Sequence, residues 1–228
     1  MKKPIVVSLL AACAFAGPLG VHAQDAKPGD RNAGAMKVQM CIGCHDIPGY
    51  QSSFPEVYKV PKIAGQNEKY IATALAEYKK GDRKFPTMRA IAASLTDQDM
   101  ADVAAFYAKL GTGEKAADVP ATPPTAPPAV AKLLTQANCA SCHGANFNSP
   151  IDPSYPKLAG QYADYLYAAL KAYQTDKNPH VGRSNAIMMG MARPFTHTEL
   201  KQLSAYFASL PGDLKTVPES RFRGGPQF

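Results

Sequence analysis

Cys41-Ile42-Gly43-Cys44-His45 and Cys139-Ala140-Ser141-Cys142-His143 repeat the same reactive side chains at the same spacing, 98 residues apart. Residues three apart on a helical turn project to one side, so the two sulfurs of each pentad can form thioethers with the two vinyl groups of one porphyrin. The histidine that follows falls beneath the iron as its proximal ligand. One pentad alone would also suit a thiol redox pair. Two, in matching surroundings on a chain with an export signal, point to two covalently bound haem c groups. The attachment residues are Cys41, Cys44, Cys139 and Cys142, and the proximal ligands are His45 and His143.

The export signal lies in residues 1–23. Lys2 and Lys3 precede an apolar run from Ile5 to Phe15, and Val21-His22-Ala23 offers small residues for cleavage after Ala23. Leu10-Ala11-Ala12-Cys13 is the competing signal, a lipoprotein-like box whose acylated cysteine would tether the chain; the short apolar stretch before Cys13 makes it the weaker reading. Cleavage after Ala23 discards Cys13 and leaves four cysteines, the number that two haems consume. The expected location is the periplasm. No later segment reaches the roughly 20 apolar residues of a membrane span, which leaves peripheral membrane association as the only membrane contact open.

The formal net charge of +7 falls to +5 without Lys2 and Lys3, and about four haem propionates would bring it near neutrality. The basic balance therefore does not indicate nucleic-acid binding. Lys79, Lys80, Arg83 and Lys84 form a local basic run, read first as a solvated helix end and second as a docking face for an acidic partner.

These chemical groups need elements to hold them. Residues 111–128, with five prolines among Ala and Thr, read as a stiff linker between a first domain at 24–110 and a second at 129–210, followed by a tail at 211–228. The halves correspond in order. Pro61-Lys62-Ile63-Ala64-Gly65-Gln66 recurs as Pro156-Lys157-Leu158-Ala159-Gly160-Gln161, and Tyr70, Leu75 and Tyr78 recur as Tyr165, Leu170 and Tyr173. This is a tandem duplication. Each half reads as helical: one helix leading into the pentad, from about Asp30 or Pro128, a second over about 67–80 or 162–175, and a last one opened by Thr96 or by Thr196 with Glu199. Asn67 reads as an N-cap and Gly81 as a stop. The fold class is all-α. A half of about 90 residues is marginal for an independent core unless a large apolar cofactor is part of it.

The sixth iron ligand separates catalysis from electron transfer, because an open position admits substrate and a closed one does not. Once residues 1–23 are removed, the first half holds no histidine besides His45, so methionine is the candidate. Met36 and Met40 share the pentad's own helix and Met100 lies on the last helix, whereas Met88 sits in the Phe85-Pro86-Thr87-Met88 loop, free to cross to the opposite face. Leu95, Phe106 and Leu110 match Phe195, Tyr206 and Leu210 at an offset of 100, and the same offset carries Met88 to Met188. Met189 and Met191 stay open as alternatives, and His180 and His197 read as exposed.

The order of pentad, Pro-x-Ile/Leu-x-Gly, loop methionine and aromatic C-terminal helix resembles a class I cytochrome c, and its duplication resembles the bacterial dihaem cytochrome c4 family. The resemblance implies two tandem cytochrome c domains, each a small helical bundle around one haem, facing each other about an approximate twofold axis. It also implies that Pro61 and Pro156 present backbone carbonyls to the axial histidines. The implied role is an electron carrier, with no catalytic residues, between a quinol-oxidising complex and an acceptor such as a terminal oxidase. A dihaem subunit of a periplasmic dehydrogenase, of the flavocytochrome sulfide or alcohol-oxidising kind, is the alternative, and a dihaem peroxidase a more distant one. Two features depart from the family pattern: Asp46-Ile47-Pro48 follows His45 where glycine is usual, and the tail runs past the last helix.

Overall fold

The computed structural model describes residues 27–112 and 119–218. The expected signal segment 1–23 with Cys13, linker residues 113–118 and tail residues 219–228 lie outside the described residues.

The first half runs α1 (Arg31–Lys37), α2 (Gln39–His45), a two-residue hairpin of β1 (Gln51–Ser52) and β2 (Tyr58–Lys59), α3 (Glu68–Lys80), α4 (Pro86–Ala93) and α5 (Asp97–Lys109). The second runs α6 (Pro128–Gln136), α7 (Ala140–His143), α8 (Ala163–Gln174), α9 (Ala186–Ala192) and α10 (His197–Ser209). The expected single helix into each pentad is two helices. Val38 interrupts the first with its ψ near zero, and Asn138 breaks the second with a φ of 47°. Each break separates the thiol-bearing segment from the helix that leads into it.

The long helices follow their sequence signals. Thr96 and Thr196 each close a capping box, their hydroxyls accepting from the N–H of Asp99 and Glu199 while those carboxylates accept in return. Met100, Val103 and Tyr107 of α5 pack with Val38, Ile71 and Leu95 in one core. Leu200, Leu203 and Phe207 of α10 pack with Val130, Leu133 and Phe147 in the other. α1 crosses α5 at Gly34, where a Cβ would lie 2.1 Å from the Asp102 carbonyl oxygen, so only glycine allows the two backbones this close.

Two expectations are corrected. Asn67 begins α3 but does not cap it with its side chain; the Asn67 amide instead donates to the Tyr155 carbonyl of the other half at 2.9 Å. Arg83 is not on a solvated helix end: it is 5% exposed, and it faces Arg183 in an antiparallel backbone bridge between the halves. The described part of the tail is packed, with Leu214 buried, Lys215 N–H donating to the Ala64 carbonyl at 3.0 Å, and Val217 against the first core. The proline-rich stretch likewise lies on the second half, where Tyr206 donates to the Pro124 carbonyl at 3.0 Å.

The α1–α5 crossing is fixed by one carboxylate. Asp102, 3% exposed, accepts from the Asp30 N–H at 2.9 Å, Gln98 Nε2 at 2.9 Å and Lys37 Nζ at 2.6 Å. Burial works to raise its pKa, but these donors outweigh burial and hold the carboxyl below the usual range. Asp102→Ala strands the Asp30 N–H, leaves Lys37 with Asp99 alone and Gln98 with the Lys27 carbonyl alone, and is expected to destabilise the first half by about 2–3 kcal/mol in thermal or denaturant unfolding. A depressed carboxylate stabilises only while ionised, so the difference from wild type should be full above about pH 5 and shrink as pH falls below about 4. A difference that persisted at low pH would show that the clamp is not electrostatic.

Candidate haem sites

Each pentad folds so that its groups converge on one space. A cavity of about 730 Å³ runs between the halves, and its wall includes Cys41, Cys44 and His45 from one pentad and Cys139, Cys142 and His143 from the other. Its size lies toward the upper end of pockets that hold small molecules and cofactors, about 300–1,000 Å³. The rest of the wall is mainly apolar and aromatic, including Leu75, Tyr70 and Tyr165. The two hydrophobic cores therefore open onto it instead of closing on themselves.

The imidazoles of the two pentads are held in matching ways. His45 Nδ1 lies 2.9 Å from the Pro61 carbonyl oxygen, and His143 Nδ1 lies 3.0 Å from that of Pro156. A carbonyl can only accept, so Nδ1 carries the proton and Nε2 is the nitrogen left for a metal. Burial pushes both histidines below their ordinary pKa against the raising effect of the carbonyls, which keeps the rings neutral and fit for ligation at pH 7.

The thiols do not suit the rival reading of a redox pair. Burial pushes Cys41 and Cys139, as free thiols, up to about 11, whereas thiol exchange needs the thiolate. All four cysteines are free of disulfides. They suit a porphyrin whose vinyl groups would consume them.

The methionines are on helices, not loops. Met88 is in the first turn of α4, begun by Pro86, and Met188 is in the first turn of α9, capped by the Asn185 side chain. Pro86, at the first helical position, starts α4 two residues before Met88, and the thioether-bearing residue lines the cavity from the helix as it would from a loop. Met88 and Met188 both line the cavity, as does Met191, while Met189 does not. Met191 is 42% exposed, whereas Met188 is half-buried. His180 and His197 are exposed.

Sequence reasoning missed the cationic part of the wall. Arg83 donates to Glu77 at 2.5 Å and to the Tyr70 hydroxyl, and its guanidinium lies over the rings of Tyr70 and Tyr78. Arg183 donates to the Tyr165 hydroxyl at 3.1 Å and lies over the rings of Tyr165 and Tyr173; among the described residues it has no carboxylate partner. The cavity thus holds more guanidinium charge than protein carboxylate, a mismatch that a ligand bearing its own carboxylates corrects, as haem does through its propionates. The 100-residue offset that relates Met88 to Met188 also relates Arg83 to Arg183, and was the signal available in the sequence.

A cytochrome c family model matches the chain twice, at residues 32–111 and 129–211. Cytochrome c4 of Stutzerimonas stutzeri is 30% identical over 226 residues, spanning 90% of this chain and 98% of that protein. A thiosulfate dehydrogenase electron acceptor from S. stutzeri strain A1501 is 30% identical over 195 residues, spanning 80% of this chain and 82% of that one. The crystal structure of reduced recombinant cytochrome c4 from Pseudomonas stutzeri aligns with a TM-score of 0.57 at 28% identity, covering 80% of this chain and all of that chain. The two converging sets of thiols and imidazoles, the duplicated helical halves and these likenesses lead to one assignment: the chain belongs to the cytochrome c family, as an all-α dihaem member of the cytochrome c4 type carrying two covalently bound haem c groups.

Proposed function

We propose that this dihaem cytochrome is a periplasmic carrier that accepts single electrons from a respiratory donor, such as a quinol-oxidising complex, and passes them to an acceptor such as a terminal oxidase. The observation that carries the reading is the placement of His45 with Met88, and of His143 with Met188, on the walls of the shared cavity. In this reading Cys41 and Cys44 hold one haem and Cys139 and Cys142 the other. His45 and Met88 close the first iron, and His143 and Met188 close the second. Met188 is preferred over Met191 by its matching offset and lower exposure, and over Met189 by its place on the wall.

When bound, each haem supplies a one-electron Fe(III)/Fe(II) couple. The protein supplies the rest. The Pro61 and Pro156 carbonyls orient the imidazoles, a thioether favours Fe(II) and raises the potential, and apolar walls such as Leu75 and Leu166 keep water from the charge change. With both faces of each iron taken, no substrate can bind the metal, and function reduces to docking and electron exchange. The domains are taken as 24–110 and 129–210, and export through residues 1–23 places them in the periplasm. Among the described residues no helix is long and apolar enough to cross a membrane.

A second reading is favoured by one specific observation, the likeness to a thiosulfate dehydrogenase electron acceptor. In it the cytochrome serves a periplasmic dehydrogenase as a dedicated partner or subunit. Stable co-purification with a dehydrogenase supports that role; only transient, salt-sensitive association supports the mobile carrier.

Two measurements check the ligand set. Met88→Ala should remove about half of the methionine-to-iron charge-transfer absorbance of the oxidised protein and open one reduced iron to carbon monoxide, and Met188→Ala should remove the other half. Full absorbance after either change would reassign that ligand. Cys41→Ser with Cys44→Ser should leave one covalently retained haem per chain under denaturing conditions, and retention of two would disprove attachment at that pentad.

A further inference from the structure

Gln66 and Gln161, each 4% exposed, are the most deeply buried amides at the contact between the halves, and each reaches across to the peptide that serves the other half's axial histidine. Gln161 Oε1 accepts the Lys62 N–H at 3.0 Å, and Gln161 Nε2 donates to the Lys62 carbonyl at 2.8 Å. In the mirror arrangement Gln66 Oε1 accepts the Lys157 N–H at 2.9 Å, and Gln66 Nε2 donates to the Lys157 carbonyl at 3.1 Å. Each amide oxygen takes a second bond from the next backbone N–H of its own chain segment, Tyr162 at 3.0 Å and Asn67 at 2.9 Å, which fixes its orientation.

The Lys62 N–H and the Pro61 carbonyl belong to one peptide group. Its nitrogen end donates to Gln161 while its oxygen end, 2.9 Å away from His45 Nδ1, accepts from the axial ring. A peptide whose N–H is bonded to an acceptor has a more negative carbonyl oxygen, because the two ends are conjugated, and hydrogen bonds in such a chain strengthen one another. A better acceptor at Nδ1 gives the imidazole more imidazolate character and makes it a stronger donor to iron, which favours Fe(III). The same chain runs from Gln66 through the Lys157–Pro156 peptide to His143.

We propose that Gln161 and Gln66 are crossed positioning residues: Gln161, from the second half, lowers the potential of the first haem, and Gln66, from the first half, lowers that of the second. No covalent bond or proton is exchanged. The Nδ1 proton stays on the ring in both oxidation states, and the single electron is that of the carrier cycle. Opening the contact between the halves removes both amides together, so docking that pries the halves apart raises both potentials. The inference rests on His45 and His143 as the axial imidazoles.

The test is the pair of midpoint potentials of the full dihaem protein, each assigned to its haem by the NMR signals of its axial methionine. Gln161→Leu is expected to favour the reduced form of the first haem by about threefold, ~28 mV for a one-electron couple, with a smaller change at the second. Gln66→Leu is expected to do the reverse. Unchanged potentials, equal shifts at both haems, or a larger shift at the haem of the glutamine's own half would each overturn the proposal. If Gln161→Leu does not fold with both haems, Gln161→Asn, too short to reach Lys62, carries the same expectation and the same refutations. In the native protein the Lys62 and Lys157 amide protons should exchange with solvent as slowly as those of α5, and fast exchange would also overturn the proposal. Spectra that lacked imidazole ligation in the native protein would instead reject the ligand assignment itself, so the two failures are distinguishable.

Discussion

Neither half can close its own hydrophobic core, and the rest of the architecture follows from that constraint. Helices of at most 13 residues, in halves of fewer than a hundred, leave Leu75 and Tyr70 on one side and Leu166 and Tyr165 on the other facing a space that no protein side chain fills. Haem is the missing part of each core, and the thioethers convert a loosely held apolar group into a fixed one. Such a core would have the properties that single-electron exchange requires. It would exclude water from the iron, change shape little between oxidation states and keep the cofactor through repeated weak docking.

The contact between the halves serves the same space. Arg83, which sequence alone would leave in solvent, is instead buried in the cavity wall, and the half-buried Arg183 faces it, each stacked on tyrosines. A buried cation without a full complement of carboxylate is costly unless a ligand supplies the anion. Arg83 and Arg183 therefore bind the architecture of the contact to the presence of the cofactor, and the backbone bridge between them joins the halves where the guanidiniums lie.

What was legible in the sequence, and what was not, divides along a physical line. The pentads, the capping boxes at Thr96 and Thr196 and the apolar stripes of α5 and α10 depend on residues close together in the chain, and the structure has them where local rules place them. Asn67 and Arg83 were misread because their partners are distant: the Tyr155 carbonyl and the facing Arg183. Helix capping and solvated charge are the default fates of Asn and Arg when nothing else is known, and a tertiary contact overrides both. Met88 shows an intermediate case. The proline before it was read as marking a loop, yet the same residue starts a helix, and either route returns the thioether to the cavity.

The duplication also separates what the chemistry requires from what it tolerates. Histidine, proline carbonyl, methionine, arginine and glutamine recur at matched positions and all border the cavity. The elements that differ surround this shared set, and some of them, such as β1 and Tyr58 of β2, reach the wall as well. Asp46, which accepts from the Tyr107 hydroxyl, stands where the second half has Gly144, a residue whose Cβ would lie 2.0 Å from the Ser149 carbonyl oxygen. The first half then builds the β1–β2 hairpin, which reaches the second half through the ion pairs Glu56–Lys171 and Lys59–Asp164. The second half instead sends its tail back, pairing Asp213 with Lys157 at 2.7 Å, while Lys62 Nζ donates to the Gly160 carbonyl and among the described residues has no carboxylate partner. Two sites lined by the same matched residues differ in their electrostatics through such outer groups. In this chain several of the outer groups, Glu56 with Lys171, Lys59 with Asp164 and Lys62 with the Gly160 carbonyl, also join the halves, so side chains that hold the two domains together also set them apart electrostatically.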